Sequence, residues 1–244
     1  MPAREQTGVA LGGDAPILEV MRTMRAMRRL SPEPVPDELL EQLVEAATWG
    51  PSGSNAQAYE FVVVTDRDQM ARLAPLWRRC LDAYLGSIAT VTPETMDQGA
   101  YDRLVAAVRH QAEHFEDTPA VIVPCYSYAR VLRRVRPRAA LTGLRRLGAR
   151  NTLELALRGG RISAIGEASS VYPGVQNLLL TARALGLGAN LTNWHLFLER
   201  EFKAVLGVPR GVNTYALIPV GWPLGRFGPV RRRPAAEAIR RDRW

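Results

Sequence analysis

VYPGVQNLLLTARALGLGANLT, Val171 to Thr192, is the most legible stretch of the 244-residue chain. Val171, Val175, Leu178, Leu179 and Ala182 recur at helical spacing, so a helix from Ser170 to Leu185 turns one apolar face inward. Gly186 and Gly188 close it in the manner of a helix C-terminus, and Ala189 to Thr192 reads as a short strand. A helix of this kind needs a layer to pack against, and the flanking segments supply candidates.

Downstream, the pattern predicts a helix over Glu199 to Leu206 and a strand over Thr214 to Val220 (TYALIPV), then a Pro- and Arg-rich tail from Gly221. Upstream, residues 1 to 16 carry no periodicity and read as a flexible lead-in. Ile17 to Met27 has helical spacing and is ended by SPEPVP at 31 to 36. Pro36 then presets a helical turn, Asp37 and Glu38 suit its positive end, and Leu39, Leu40, Leu43, Val44, Ala46 and Ala47 form a broad apolar face. Gly50 and Pro51 stop that helix, and a polar loop, PSGSNAQ at 51 to 57, leads into an expected buried strand from Tyr59 to Thr65. Helices are predicted over Asp68 to Leu85 and 97 to 116, and a second strand over Ala120 to Tyr126, where Pro124 suggests a sheet edge or strand end. The whole reads as one domain over 17 to 235, with a C-terminal tail at 236 to 244.

The formal charge of +8 is local. Between Tyr128 and Arg161 there are ten Arg and one acidic residue, Glu154, so the remainder of the chain is near neutral. This basic insertion, at about 128 to 166, includes a leucine-bearing half, Leu141 to Leu157, that reads as a short helical lid. A nucleic-acid module would interleave aromatics among those arginines, and only Tyr128 lies at the margin. No apolar run is long enough to span a membrane, and the start lacks a signal-peptide block, so a cytoplasmic location is expected. Cys80 and Cys125 read as packed thiols, and His110 with His114 lacks a third metal ligand nearby, so no metal site is expected.

No Ser-His-Asp order, phosphate-binding P-loop or GxGxxG turn is present. A chain with so little reactive chemistry of its own is either a binding protein or an enzyme whose cofactor reacts, and no catalytic side chain is assigned. Three segments are suited to something anionic and planar. MRAMRRL at 24 to 30 places Arg25 and Arg28 three apart, on one face of the expected helix, and the guanidinium fork matches phosphate. PSGSNAQ offers small and amide-bearing residues, and VRRRP contributes Arg231 and Arg233 near the end.

In order along the chain, these segments resemble the FMN-dependent nitroreductase family. The opening from Arg25 to Leu40 is similar to the family's phosphate-binding start, Pro51 to Gln57 to its flavin loop, and Val171 to Thr192 to its central helix and the strand end beside the isoalloxazine. GWP followed by RRRP resembles its closing segment, while the middle of the chain carries no resemblance. What this implies is an α+β nitroreductase-like fold: a central, mixed, mostly antiparallel sheet flanked by helices, in an intertwined homodimer with the Val171 helix at its centre. It also implies that Arg25, Ala26 and Arg28, with Arg231 and Arg233, hold the FMN phosphate and ribityl chain. Pro51, Ser52, Gly53 and Asn55 would reach the flavin held mainly by the partner, Gln57 would support the loop, and Ser170, Leu191 and Thr192 would line the ring. NADPH or NADH would be the transient hydride donor and a small electron-poor molecule the acceptor, in ping-pong order. Ene reduction, dehalogenation or flavin breakdown on the same fold stays open. Two positions depart from the family pattern: Ala26 stands where a small polar residue is usual, and Ala58-Tyr59 replaces Pro-aromatic. The missing hydroxyl at Ala26 removes one hydrogen bond, worth about 1 kcal/mol. The basic insertion has two readings: a solvated basic flap, which is slightly favoured, or a cap from Arg130 to Arg150 that attracts an anionic partner such as the NADPH phosphate or an acidic substrate, with Trp194 or Phe197 as an aromatic wall.

Overall fold

A computed structural model describes residues 12, 15–87, 93, 94, 96–127 and 137–244, with the backbone alone for 137–140. Most of the expected lead-in, and the start of the basic insertion at 128 to 136 with Arg130, Arg133, Arg134 and Arg136, lie outside the described residues. The elements are α1 (Ile17–Thr23), α2 (Asp37–Thr48), β1 (Tyr59–Val64), α3 (Arg67–Ser87), α4 (Gln98–Glu113), β2 (Ala120–Tyr126), α5 (Pro137–Ala184), β3 (Gly188–Ala189), α6 (Glu199–Leu206), β4 (Asn213–Thr214), β5 (Ile218–Gly221) and α7 (Ala235–Ala238).

The sheet runs β1-β2-β5-β3, with β4 also on β2, and every pairing among the described strands is antiparallel. β2 is buried along its whole length because both its faces are covered. Ala120, Ile122 and Tyr126 pack with α2 and the inner half of α5, while Val121, Val123 and Cys125 pack with α3, α4 and α6. The two-residue period of a strand thus divides its side chains between two cores. Cys80 and Cys125 are free and buried, as expected for packed thiols.

Pro124 therefore does not mark an edge. β2 is central, and the proline is accommodated by a bulge: Ile122 pairs with Ile218 and Cys125 with Thr214, so two residues of β2 face three of the opposite strand. Tyr215 N donates to the Pro124 carbonyl at 2.9 Å, and the missing proline N–H falls where the ladder is already interrupted. β1 is the edge strand instead, and its residues are mostly half-buried or exposed rather than buried.

The Val171 helix lies where expected, but it is the inner half of one much longer element. α5 begins at Pro137, breaks at Gly148 (φ 76°), and continues to Ala184. The Leu141–Leu157 segment is helical on both sides of that break, and its leucines are largely exposed. At the other end Gly186 adopts φ 78°, and Leu187 N donates to the Ala182 carbonyl at 2.8 Å, which caps the helix with a left-handed residue. The end of α2 crosses α5 at Gly174. A Cβ on Gly174 would stand 2.3 Å from the Ala47 carbonyl oxygen, so backbone meets backbone there.

Candidate functional site

α1 is shorter than its periodicity suggests. The chain leaves the helix at Met24 (φ −68°, ψ 122°), so Arg25 and Arg28 do not share a helical face. Long-range backbone bonds explain the difference: Met27 N donates to Ala189 O at 3.1 Å, Ser31 N to Trp222 O at 2.8 Å, and Leu30 bridges Pro223. The returning C-terminal segment completes the pairing, with Leu224 N on Arg29 O at 3.0 Å and Val230 N on Arg22 O at 2.9 Å.

This pairing of the two chain ends builds a cavity of about 620 Å³, lined by Arg25, Ala26 and Arg28 from the first segment and by Val230, Arg231 and Arg232 from the second. Arg233 does not line it; Arg232 does, and both lie in the exposed run that follows Val230. A further wall comes from α4 and includes Arg103, which local sequence pattern did not single out. Among the described residues the ion pairs are Arg22–Glu19, Arg78–Glu116 and His114–Asp117, so none of the five cavity arginines is paired with a carboxylate. Arg28 is the most enclosed of them. Burial pulls its guanidinium below the ordinary value, an effect that Tyr84 partly opposes. A space rimmed by cations without acids is built to take an anion.

Arg183, also missed in the sequence, braces both walls. It is buried in α5, its Nε donates to Thr23 Oγ1 at 2.9 Å, and its guanidinium sits 4.2 Å from the centre of the Phe227 ring. One side chain thereby ties the residues just before Arg25 to those just before Val230.

Pro51, Ser52, Gly53, Asn55 and Gln57 do not line this cavity. They form a tight loop that includes a 3-10 turn, with Ser54, Asn55 and Gln57 at φ 53°, 50° and 46°. Three non-glycine residues in the left-handed region are costly, and the loop is held by specific bonds. Gln57 N donates to Ser52 Oγ at 3.1 Å, Gln57 Nε2 to Asn55 Oδ1 at 3.1 Å, and Gly53 N to Ser170 Oγ at 3.1 Å. Ser170 is buried and anchors this loop to α5. Leu191 is partly exposed, while Thr192 is buried and pairs its backbone with Leu217. The Thr192 hydroxyl oxygen is buried and has no hydrogen-bond partner. Trp194 is not a free aromatic wall: it stacks on Tyr84 at 4.3 Å and on Trp77 at 5.6 Å, whereas Phe197 is exposed. No group of metal ligands occurs among the described residues.

Comparisons with known proteins bear on this geometry. The NADH dehydrogenase of Thermus thermophilus is 27% identical over 222 residues, covering 88% of this chain and 90% of that protein. The iodotyrosine deiodinase of Danio rerio is 39% identical over 54 residues, 22% of this chain and 18% of that protein. The solved structure of the NADPH:FMN oxidoreductase from Vibrio harveyi, complexed with NAD+, superposes with a TM-score of 0.62 at 17% identity, covering 93% of this chain and 77% of that one. The model of the Nitroreductase family matches residues 21–222, and the chain belongs to that family.

Proposed function

We propose that this chain is an FMN-dependent oxidoreductase that takes hydride from NADPH or NADH and reduces a small electron-poor acceptor, a nitroaromatic or quinone, working as a cytoplasmic homodimer. The observation that carries this reading is the convergence of arginines from both chain ends on one acid-free cavity. Arg25, Arg28 and Arg231 are suited to a phosphomonoester, with Ala26 against the ribityl chain and Arg233 at the margin. Leu191, which is exposed, and the neighbouring Thr192 suit the flat ring. FMN, when bound, supplies a ring able to accept hydride and to hand electrons on to an oxidant.

The protein's own work is then binding, orientation and exclusion of water. The arginine cavity holds the anionic end, and Ser170 and Gln57 hold the loop of Pro51, Ser52, Gly53 and Asn55 in the strained shape that would close over a partner's flavin. Donor and acceptor would use one face in turn, which gives ping-pong kinetics. The arginine-rich extension of α5 is suited to cover that face. No helix among the described residues is long and apolar enough to cross a membrane.

The test is direct. Purified protein should be yellow, with bands near about 370 and 450 nm, and should oxidise NADPH or NADH when a nitroaromatic or quinone is supplied without oxygen. Colourless protein that takes up no FMN overturns the reading. The short match to the deiodinase favours a second reading, reductive dehalogenation; a halophenol in the same panel, turned over faster than the nitroaromatic, would select it.

A further inference from the structure

The cavity holds more positive charge than one flavin phosphate requires. A phosphomonoester carries about two negative charges at neutral pH, and two guanidinium forks match it. Five arginines line this space, none with a carboxylate partner among the described residues. Four come from the paired chain ends. The fifth, Arg103, stands on the α4 wall between Ala100 and Ala107, which lie three residues before and four after it and so share its helical face. Their single methyl groups leave space around the guanidinium, and Met96 and Leu104 complete an apolar border. At about 620 Å³ the cavity also exceeds what a phosphate and a short polyol chain fill, although Leu191 and Thr192, the residues suited to the ring, are not among its lining. Arg25, Arg103, Arg231 and Arg232 are exposed, so water screens their mutual repulsion, and the guanidinium groups that one dianion does not engage stay available to a further anion.

We propose that Arg103, together with Arg232, forms a second anion subsite beside the flavin phosphate, which takes a further phosphoryl group of a nucleotide ligand. The proposal rests on the flavin reading above. Two nucleotides carry such a group: FAD, through its second phosphate, and NADPH, through its 2′-phosphate. NADH and FMN lack the corresponding group, and each serves as the control for its partner.

The experiment titrates flavin-free protein with FMN and with FAD, following fluorescence quenching, and measures KM for NADPH and NADH with the flavin-loaded enzyme. Both are repeated with Arg103→Gln and Arg232→Gln. These side chains are exposed, so the fold should survive, which a thermal melt checks. A fall of about tenfold in the FAD-to-FMN affinity ratio assigns the subsite to the flavin dinucleotide. A rise of about tenfold in the NADPH-to-NADH KM ratio assigns it to the 2′-phosphate of NADPH. Variants that change neither ratio, or that weaken FMN and FAD equally, overturn the proposal. So does wild-type protein that takes FMN, refuses FAD and treats NADPH and NADH alike. Failure of the flavin reading is separately visible, as wild-type protein that binds neither flavin.

Discussion

His195 is sealed from solvent, and its environment favours the neutral ring. Nε2 lies 3.0 Å from Thr214 Oγ1, which donates in turn to Glu199 at 3.0 Å, while Nδ1 has no partner. Burial pushes the imidazole down to about 4, against a smaller upward pull from Glu199. Because the folded value lies below the unfolded one, the unfolded chain binds more protons through the interval. Stability is fully present above the unfolded value, about 6.5, and is lost as pH falls towards 4, by about 3 kcal/mol in all from this residue. Urea unfolding of the wild type should therefore lose about 2 kcal/mol more than His195→Gln between pH 7 and pH 5. Parallel profiles for the two proteins would remove His195 as the cause.

At the scale of elements, what was readable in the sequence and what was not divide along a physical line. The Val171 helix was legible because its signal is local: five inward positions at one period and a left-handed Gly186 at the end. The extended course of 24 to 30 was not, since partners nearly two hundred residues away, Trp222 and Pro223, draw it out of its helical pattern. For the same reason Arg25, Arg28 and Arg231 could be singled out one by one, while Arg103, Arg183 and Arg232 acquire meaning only once the ends meet. Glu167 was equally invisible, yet it joins the outer half of α5 to the sheet. Its carboxylate accepts from Asn213 Nδ2 at 2.8 Å, from Ser163 Oγ at 3.3 Å and from the Tyr215 hydroxyl. Burial and these contacts with Glu167 raise the Tyr215 phenol well above the usual tyrosine range, so it stays a donor. Glu167→Ala strands those donors and should cost about 3 kcal/mol, with Glu167→Gln intermediate. Hydrogen exchange should quicken along 149 to 166 while 171 to 184 stays protected; a uniform change would refute the joint.

For the whole molecule, the surface is the unfinished part. Beyond Glu167 the outer half of α5 carries Leu153 at 63% exposure, Leu157 at 78% and Ile165 at 56%, and α1 adds Ile17 and Leu18. Leu153 and Leu157 are four apart and share one face, on a stretch that rises about 1.5 Å per residue away from the core. Apolar area of that extent is uncommon on a free monomer and is usual where two chains meet. A second copy would cover it, and would also account for why the strained 51–57 loop stands apart from the arginine cavity of its own chain: the loop would serve the neighbour's site. An obligate interface of this kind buries on the order of 2,000 to 5,000 Å². Sedimentation should thus show a species of twice the 27.0 kDa chain mass. Leu153→Glu combined with Leu157→Glu should shift it towards the monomer, and FMN uptake should fall in the same proportion, because each site loses the loop donated across the interface. A monomeric variant that kept full FMN affinity would show that one chain suffices for the flavin, and would detach the loop from the cofactor altogether.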